Sequence, residues 1–310
     1  MILLTGATGF IGRSLSRWLR RNRRKFVCLV RPGRRQPLAE LEGASLFEGD
    51  LTRRETLSAL FERYPIRQII HLAARLLGQD ENLFERDNVQ ATENLIQASR
   101  KVPLQRFLFV STGDVLSRYE GPYSRSKKKA EQKIIESGLP YTILRPFRVN
   151  GAGDQSFGRM GQKMKSRSFA AFIGSGKNVW QPFFVEDFCR AILQALDSPQ
   201  AEGKIYALAG RDRISYRDFL NRLRLLANPR CRLVYLPAPL CFLAVRTACA
   251  LMPSFSISIS NLQNMLEDKT CDFSAAARDF GFDPTPLQDF LPHLNALPSA
   301  KNDGISWEKA

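Results

Sequence analysis

A tyrosine and a lysine stand four positions apart in the segment from Tyr123 to Lys127. At this spacing the two side chains lie on one face of a helix. A free phenol has a pKa of about 10, too high for a base at neutral pH, but a neighbouring ammonium group favours the phenolate. We therefore expect Lys127, together with the cationic ring of a nicotinamide cofactor, to lower the pKa of Tyr123, so that the phenol removes or donates a hydroxyl proton while hydride is transferred.

Three glycines in the run from Thr5 to Gly12 have the spacing of a dinucleotide-binding loop. Such a loop needs glycine for a tight turn, for the approach of the backbone to a pyrophosphate, and for close packing of helix on sheet. The amides and the dipole at the start of the next helix then hold the phosphates. The residues expected to bind the cofactor here are Gly6, Gly9, Phe10, Ile11 and Gly12.

Arginines follow the next apolar run, where an enzyme that prefers NAD usually carries an acid about 20 residues past the glycines. Arg31 lies 19 residues past Gly12 and is followed by Arg34 and Arg35. A carboxylate here would repel a 2′-phosphate, whereas a guanidinium binds it in a bidentate fork. We therefore predict NADP(H) as cofactor rather than NAD(H). The alternative is that these arginines coat an exposed turn.

The elements that must position these residues alternate between short apolar runs and helical patterns. The predicted strands are Ile2–Leu4, Phe26–Val30, Ser45–Phe47, Gln68–His71, Phe107–Val110 and Tyr141–Leu144. The predicted helices are Ile11–Arg24, Thr52–Arg63, Asn82–Lys101 and Ser124–Ser137. This alternation specifies βαβ units, so the predicted fold class is α/β, a Rossmann-type doubly wound parallel sheet.

The alternation of strand and helix patterns ends after about Val149, where several glycines indicate an irregular segment. We expect a dinucleotide-binding domain at residues 1–150, to which residues 181–209 return with a helix at Phe184–Leu196 and a strand at Ile205–Leu208. Residues 151–310 then form a smaller, mostly helical substrate lobe, interleaved with the first domain. The apolar segment Pro237–Phe255 is predicted to be a buried helix of this lobe; the alternative is that it docks on a membrane or a partner.

The chain has 310 residues and a formal net charge of +16, from 46 Lys and Arg against 30 Asp and Glu. The first 35 residues hold ten basic side chains and no acid, so much of the surplus is local. An anionic cofactor, an anionic membrane surface or nucleic acid would explain it. Nucleic acid is disfavoured because only Trp18 interleaves with these arginines, and single-strand binders need a stacking platform.

The six cysteines form no C-x-x-C pair, and the chain has only two histidines, His71 and His293. We therefore predict no metal site and reduced thiols in a cytoplasmic protein. His71 ends an apolar run and is predicted to be a packed histidine rather than a base. The longest apolar stretch, Leu240–Met252, is broken by Arg246 and is shorter than the roughly 20 residues of a membrane-spanning helix.

The glycine spacing resembles the extended and atypical short-chain dehydrogenase/reductases, the NAD-dependent epimerase/dehydratase family. Motifs similar to those of the family recur in the same order over most of the chain. They are Gly49-Asp50-Leu51, His71 to Ala74, Asn88-Val89, Val110-Ser111-Thr112, Tyr123 with Lys127, Arg145-Pro146, Val185-Glu186-Asp187, and Gly281-Phe282 with Pro284.

The resemblance implies roles for further residues. Thr112 aligns with the family's catalytic serine or threonine, with its neighbour Ser111 as second choice, beside the catalytic Tyr123 and Lys127. Asn88 matches a helix asparagine that supports the active-site backbone or a water relay. Asp50 would face the adenine, and the other residues expected at the cofactor are Leu51, Leu72, Ala73, Ala74, Tyr123, Lys127 and Pro146. A homodimer is also implied.

Two departures move the chain toward the atypical branch, which includes the accessory nucleotide-binding subunit of respiratory complex I. Thr112 and Tyr123 are only 11 residues apart, and Asn178–Pro182 has no arginine to grip a substrate diphosphate. Asp114 stands where sugar-nucleotide dehydratases carry one acid, but Gly113 takes the place of their other acid, so dehydration is disfavoured. The basic residues that remain for an anionic substrate are Arg145, Arg148, Lys163 and Lys165.

We therefore expect an NADP(H)-dependent oxidoreductase or epimerase acting on a carbinol or keto carbon of a small, anionic molecule, a nucleotide-activated sugar. The alternative is an NADP(H)-binding structural or assembly protein resembling the complex I subunit. Intact Tyr123, Lys127 and Thr112 favour the enzyme. A Ser/His/Asp hydrolase is excluded because the chain has no nucleophile elbow.

Overall fold

The computed structural model describes residues 1–33, 41, 43–151, 154, 157–251 and 259–295. In these ranges the strands are β1 (Ile2–Thr5), β2 (Phe26–Val30), β3 (Ser45–Glu48), β4 (Gln68–His71), β5 (Arg106–Val110), β6 (Tyr141–Pro146), β7 (Val149–Asn150), β8 (Phe169–Ile173), β9 (Val179–Trp180), β10 (Phe183–Phe184), β11 (Lys204–Leu208), β12 (Ile214–Ser215) and β13 (Arg232–Leu236).

Seven of these strands form one parallel sheet, in the order β11-β6-β5-β4-β1-β2-β3. All residues of β1, β2 and β5 are buried, as expected for parallel strands covered on both faces. The strand order reverses beside β1, and a cleft for ligands opens at such a switch point, beyond the carboxyl ends of the strands. The predicted doubly wound α/β fold is confirmed.

Helices alternate with the strands along the chain. They are α1 (Phe10–Arg21), α2 (Arg54–Arg63), α3 (Glu81–Phe84), α4 (Ala91–Ser99), α5 (Pro122–Ile135), α6 (Phe157–Ser166), α7 (Val185–Asp197), α8 (Tyr216–Ala227), α9 (Ala238–Leu251), α10 (Ile259–Leu266), α11 (Ser274–Phe280) and α12 (Leu287–Asn295). Side chains of α1, α7 and α11 share one apolar core against the sheet, and those of α2, α4 and α5 share the other.

Two arginines, Arg17 of α1 and Arg24 just after it, pair with acidic residues of α7. Arg24 pairs with Asp197 at 2.7 Å, and Arg17 lies 3.8 Å from Glu186, which also accepts from the Trp18 indole. Part of the positive charge of the first 35 residues is therefore balanced by acidic residues of α7.

The helix predicted over Asn82–Lys101 is not a uniform α-helix. A π-helical segment, Glu85–Gln90, stands between α3 and α4 and buries three consecutive residues, Asp87, Asn88 and Val89.

A third apolar core joins α6, α8 and α12 to two small two-stranded sheets, β8 with β13 and β9 with β12. The prediction of a buried helix within Pro237–Phe255 is wrong. In α9 the side chains of Leu240, Leu243 and Leu251 are 64%, 63% and 76% exposed, because α9 packs against α10 and leaves its other face uncovered.

Candidate active site

A cavity of about 520 Å³ opens at the carboxyl edge of the parallel sheet. The last residues of three strands, Thr5 of β1, Val30 of β2 and Pro146 of β6, lie on its wall. The cavity therefore occupies the switch-point cleft that this topology creates.

The glycine loop fills the space between β1 and α1. Gly6 has φ +74°, and an added Cβ would lie 2.7 Å from the amide nitrogen of Ala73. At Gly12 an added Cβ would lie 2.1 Å from the carbonyl oxygen of Gly6. Both positions thus require glycine for the turn and for close packing.

The start of α1 is shaped for an anion. Gly9 is its N-cap, and in the described structure no side chain caps this helix and its first turn holds no acid. Phe10, Ile11 and Gly12, whose amides begin the helix, all line the cavity. These features fit the phosphates of a dinucleotide.

Arg31 and Asp50 lie together at the far end of the cavity from α5. Arg31 is exposed on the turn after β2, and Asp50 accepts hydrogen bonds from the amide and hydroxyl of Thr52, both at 2.8 Å. Burial alone would raise the pKa of Asp50, but these hydrogen bonds and the Arg31 guanidinium hold it below its ordinary value.

Tyr123 and Lys127 project from α5 into the same cavity. Lys127 is 1% exposed, and its Nζ lies 3.8 Å from the centroid of the Phe109 ring. Burial lowers the pKa of Lys127 to about 7, although Glu131, one turn along α5, works in the opposite direction.

Lys127 by itself does not lower the pKa of Tyr123. Burial raises it, and the carboxylate of Asp114 raises it further. Because burial also weakens the charge of Lys127, the ammonium has no dominant effect on the phenol. Tyr123 is therefore protonated at neutral pH.

Two hydroxyl groups at the end of β5 line the cavity, and they differ in their partners. Thr112 Oγ1 accepts a hydrogen bond from the Asp114 amide at 3.2 Å and so caps the short 3₁₀ helix Gly113–Leu116. The Ser111 hydroxyl is buried and makes no hydrogen bond in the described part of the chain. Ser111, the second choice from the sequence, thus has a hydroxyl without a partner among the described residues, and the Thr112 hydroxyl, which accepts here, still has its proton to donate to a ligand.

Asn88 does not line the cavity. Its Oδ1 accepts from the Arg75 amide at 2.7 Å, and its Nδ2 donates to the Arg75 carbonyl and, at 2.8 Å, to Ser126 Oγ. Because Ser126 precedes Lys127 on α5, the asparagine ties that helix to the segment after β4. Its contacts are those of a positioning residue.

Sequence reasoning missed Asp87, the neighbour of Asn88. This buried carboxylate lines the cavity and pairs with Arg75 and Arg86, each at 2.8 Å. The π-helical segment turns Asp87 inward together with Asn88, and a period of 3.6 residues gives no signal for that.

His71 is a packed histidine, as predicted. Its Nδ1 lies 2.6 Å from Thr5 Oγ1 and its Nε2 lies 3.0 Å from Thr92 Oγ1, and burial lowers its pKa to about 3. The Thr92 hydroxyl donates to the carbonyl of Asn88, so Nε2 must carry the imidazole proton and Nδ1 must accept from Thr5. His71 thereby fixes Thr5 below the glycine loop.

A charged cluster at the other end of the cavity joins residues far apart in sequence. Lys269, 2% exposed, binds Asp114 at 3.1 Å, and the Arg148 guanidinium lies 5.6 Å from the centroid of the Trp180 ring. Burial would raise the pKa of Asp114, but Arg148 and Lys269 hold it below its ordinary value. Asp114 and Arg148 both line the cavity, and Arg148 Nε is buried without a partner among the described residues.

The prediction that Arg145 is available for substrate is wrong. Its guanidinium binds Glu131, which is 3% exposed, at 2.5 Å. Lys165 is exposed, whereas Arg34, Arg35 and the side chain of Lys163 lie outside the described residues.

The structure brings together every other residue predicted at the site. The cavity is lined by Gly6, Gly9, Phe10, Ile11, Gly12, Arg31, Asp50, Leu51, Leu72, Ala73, Ala74, Thr112, Tyr123, Lys127 and Pro146. Over the described ranges, no cluster of three or more His, Cys, Asp or Glu could hold a metal ion, and no helix combines the length and apolar content needed to cross a membrane.

Comparison with known proteins gives the family. The model of the NAD dependent epimerase/dehydratase family matches residues 2–209, more than half of the chain. The chain belongs to this family. The enzyme class expected from the sequence, an NAD(P)-dependent oxidoreductase or epimerase, is confirmed by this membership.

Individual relatives are distant. The decarboxylating sterol-4-alpha-carboxylate 3-dehydrogenase of Schizosaccharomyces pombe is 24% identical over 59% of this chain and 61% of its own length. Subunit 9 of the mitochondrial NADH dehydrogenase (ubiquinone) 1 alpha subcomplex of Arabidopsis thaliana is 25% identical over 76% of this chain and 60% of its own. The chain thus spans about three fifths of either relative. The Bacillus cereus UDP-glucuronic acid 4-epimerase, solved in complex with NAD, has the same fold, with a TM-score of 0.75, 21% identity, and coverage of 96% of this chain and 94% of that one.

Proposed function

We propose that this protein is an NADP(H)-dependent oxidoreductase or epimerase that acts on a carbinol or keto carbon of a nucleotide-activated sugar. One observation carries the proposal. Tyr123, Lys127 and the hydroxyls of Ser111 and Thr112 line the same cavity as the uncapped glycine loop. A proton donor and a dinucleotide site thus share one cleft.

Tyr123 is the group that moves the substrate proton. Because burial and Asp114 raise its pKa, the phenol keeps its proton at neutral pH and can donate it to a keto oxygen. Bound NADP(H) would supply or accept the hydride, and the charge of its oxidised ring would favour the phenolate needed for the reverse direction. Lys127, whose pKa burial lowers to about 7, exchanges protons readily near neutral pH.

The hydroxyls of β5 orient the reacting oxygen. Thr112 takes this role by its alignment, and Ser111 has the buried hydroxyl without a partner in the described structure. Replacing each by alanine separates the two: the orienting hydroxyl is the one whose removal lowers kcat by roughly 10²-fold or more. Asn88 positions α5, which carries Tyr123 and Lys127, through its hydrogen bond to Ser126.

The 2′-phosphate of NADP(H) is assigned to Arg31. This arginine stands at the end of β2, beside the cavity, in the place where an acid would favour NAD. Asp50, whose side chain is turned to Thr52, remains at the adenine end as the sequence suggests.

The substrate end of the cavity carries a basic residue and has no room for an acidic side chain at position 113. Arg148 lines the cavity with an unpartnered buried Nε, which suits the diphosphate of a nucleotide sugar. An added Cβ at Gly113 would lie 2.6 Å from the Phe147 ring, so an acidic side chain has no room there without displacing that ring. This favours oxidoreduction or epimerisation over dehydration.

Cofactor choice is tested by equilibrium titration with NADPH and NADH. We expect Arg31→Ala to weaken NADPH binding by about 10- to 100-fold, the worth of charge-assisted hydrogen bonds, and to leave NADH binding unchanged. Arg67→Ala, at the opposite edge of the sheet, is the matched control and should change neither. Tighter binding of NADH than of NADPH by the unaltered protein would refute the assignment.

Chemistry is tested after a thermal-shift screen of nucleotide sugars. Tyr123→Phe should abolish turnover of the stabilising compound while leaving cofactor affinity nearly intact. The relative in the NADH dehydrogenase complex makes a non-catalytic, cofactor-holding protein the second candidate. That reading would be favoured if the protein bound NADPH but neither bound nor turned over any member of the panel. A cytoplasmic location and a homodimer stay part of the proposal.

A further inference from the structure

Two long segments, most of whose residues belong to the small lobe, contain basic residues and no acidic ones. Residues 155–185 and 219–266 together hold ten Lys and Arg and no Asp or Glu. Outside these segments and the first 35 residues, the remaining 196 residues hold 26 basic and 30 acidic side chains. The surplus of the chain therefore lies in two places, the cofactor end and this lobe.

The second of these segments contains α9, and exposed residues, most of them apolar, form a stripe along this helix. Leu240, Leu243, Ala244, Thr247 and Leu251 follow helical spacing, and all five are exposed. Arg246 is exposed beside them. Such a stripe normally faces a core, so on the solvent side of a helix it marks a binding surface.

The strand that leads into α9 also carries exposed apolar side chains. In the parallel pair β8–β13, Phe172 and Tyr235 face the small-lobe core, so their neighbours in the alternation face outward. On that outer face Phe169 is 60% exposed, and Val234 and Leu236 are each 41% exposed. Arg232, paired with Phe169 in the register, adds a charge to it.

The acids that border these segments are engaged elsewhere. Glu267 accepts from Ser117 and from the Arg118 amide and lies 3.5 Å from Lys269, at the charged end of the cavity. Asp218 is bonded to Ser215 at the start of α8. Neither compensates the charge around α9.

We propose that the small lobe docks on the surface of an anionic lipid bilayer through α9 and the outer face of β8–β13. Leucines and phenylalanine enter the interface between headgroups and acyl chains, while arginines pair with lipid phosphates. At 14 residues α9 is too short to span a bilayer and lies along the surface. A second copy of the chain is the poorer occupant, because a symmetric contact would bring two acid-free basic segments together.

The test is sedimentation of the full-length protein with vesicles, and it does not depend on enzymatic activity. We expect binding to phosphatidylcholine vesicles containing about 30% phosphatidylglycerol, several-fold weaker at about 500 mM than at about 50 mM NaCl, and little binding to pure phosphatidylcholine. The double variant Leu240→Ser/Leu243→Ser should bind at least about tenfold more weakly. Leu46→Ser/Ile135→Ser removes two exposed residues of the other domain, 53% and 37% exposed, and should bind like the unaltered protein.

A second variant, Arg232→Gln/Arg246→Gln, keeps the apolar stripe and should lose most of the salt-sensitive binding. Unchanged NADPH binding by each variant shows that the fold is intact. The proposal is overturned if the unaltered protein ignores anionic vesicles, or if both double variants bind as it does. It is also overturned if sedimentation without lipid shows self-association that Leu240→Ser/Leu243→Ser abolishes, because α9 would then be covered by a second copy.

Discussion

Two helical glycines allow the packing of the cofactor loop to be measured against an internal control. At Gly12 an added Cβ would lie 2.1 Å from the Gly6 carbonyl oxygen and 2.7 Å from the Ala7 Cα. At Gly161 in α6 the nearest atom would be Cδ1 of Leu223, at 3.9 Å. Both replacements by alanine gain helix propensity, but only the first forces one backbone into another.

The expected effects therefore have opposite signs. Helix propensity favours alanine by up to about 1 kcal/mol, so Gly161→Ala should raise the free energy of unfolding by about 0.5–1 kcal/mol. Gly12→Ala carries an overlap of more than 1 Å with a carbonyl that no side-chain rotation relieves. Since overpacking typically costs about 1–3 kcal/mol, and backbone contacts lie at the upper end, we expect a net loss of about 1–2 kcal/mol.

Urea unfolding of the cofactor-free protein, followed by circular dichroism, measures both changes. Gly9→Ala completes the series. Gly9 has φ −75°, and an added Cβ would meet only the Gly6 oxygen, at 3.3 Å, so stability should change by less than about 0.5 kcal/mol. Its methyl group would stand where the pyrophosphate approaches, and NADPH affinity should fall at least about tenfold. Equal stability of Gly12→Ala and Gly161→Ala, or unchanged NADPH binding by Gly9→Ala, would refute this account of the loop.

Three further predictions concern charged groups around α5. Burial lowers the pKa of Lys127 to about 7, from its ordinary value of 10.5 in the unfolded chain. Between these pH values the unfolded chain binds one proton more than the folded protein, so the free energy of unfolding should rise with pH. In urea unfolding, Lys127→Met should flatten this part of the curve. Because Asp114 raises the pKa of Tyr123, Asp114→Asn should move the pH profile of turnover toward lower pH, and an unmoved profile would contradict the coupling. Arg145→Ala leaves the Glu131 carboxylate buried without its partner and should lower the free energy of unfolding by about 3 kcal/mol, whereas a loss below about 1 kcal/mol would show that water reaches the pair.

Local patterns were sufficient to predict the parallel sheet. The runs at Ile2–Leu4 and Phe26–Val30 are apolar at every position, and only a strand covered on both faces allows that. The glycine spacing then requires a loop and a helix after β1. The same reasoning failed for α9, because an apolar helix has the same composition whether a core or another molecule covers it.

The candidate site was predictable where a motif is short and local, as for Tyr123 with Lys127. It was not predictable where contacts join distant residues. Nothing in the sequence pairs Asp114 with Lys269, 155 positions away, and nothing shows that Glu131 binds Arg145. The pKa values of the site residues cannot be predicted from the sequence either, because they depend on how far burial removes water from each group.

Burial is the main reason that the phenol of this site holds its proton, and the carboxylate of Asp114 adds to it. A buried carboxylate would normally take up a proton itself, but Lys269 and Arg148 keep it charged. That retained negative charge then raises the pKa of Tyr123, so basic residues of the substrate end act on the phenol indirectly. An anionic substrate that draws Arg148 away from Asp114 would raise the pKa of the carboxyl and weaken its hold on the phenol. Such a substrate would couple its own binding to the acidity of Tyr123 through one carboxylate.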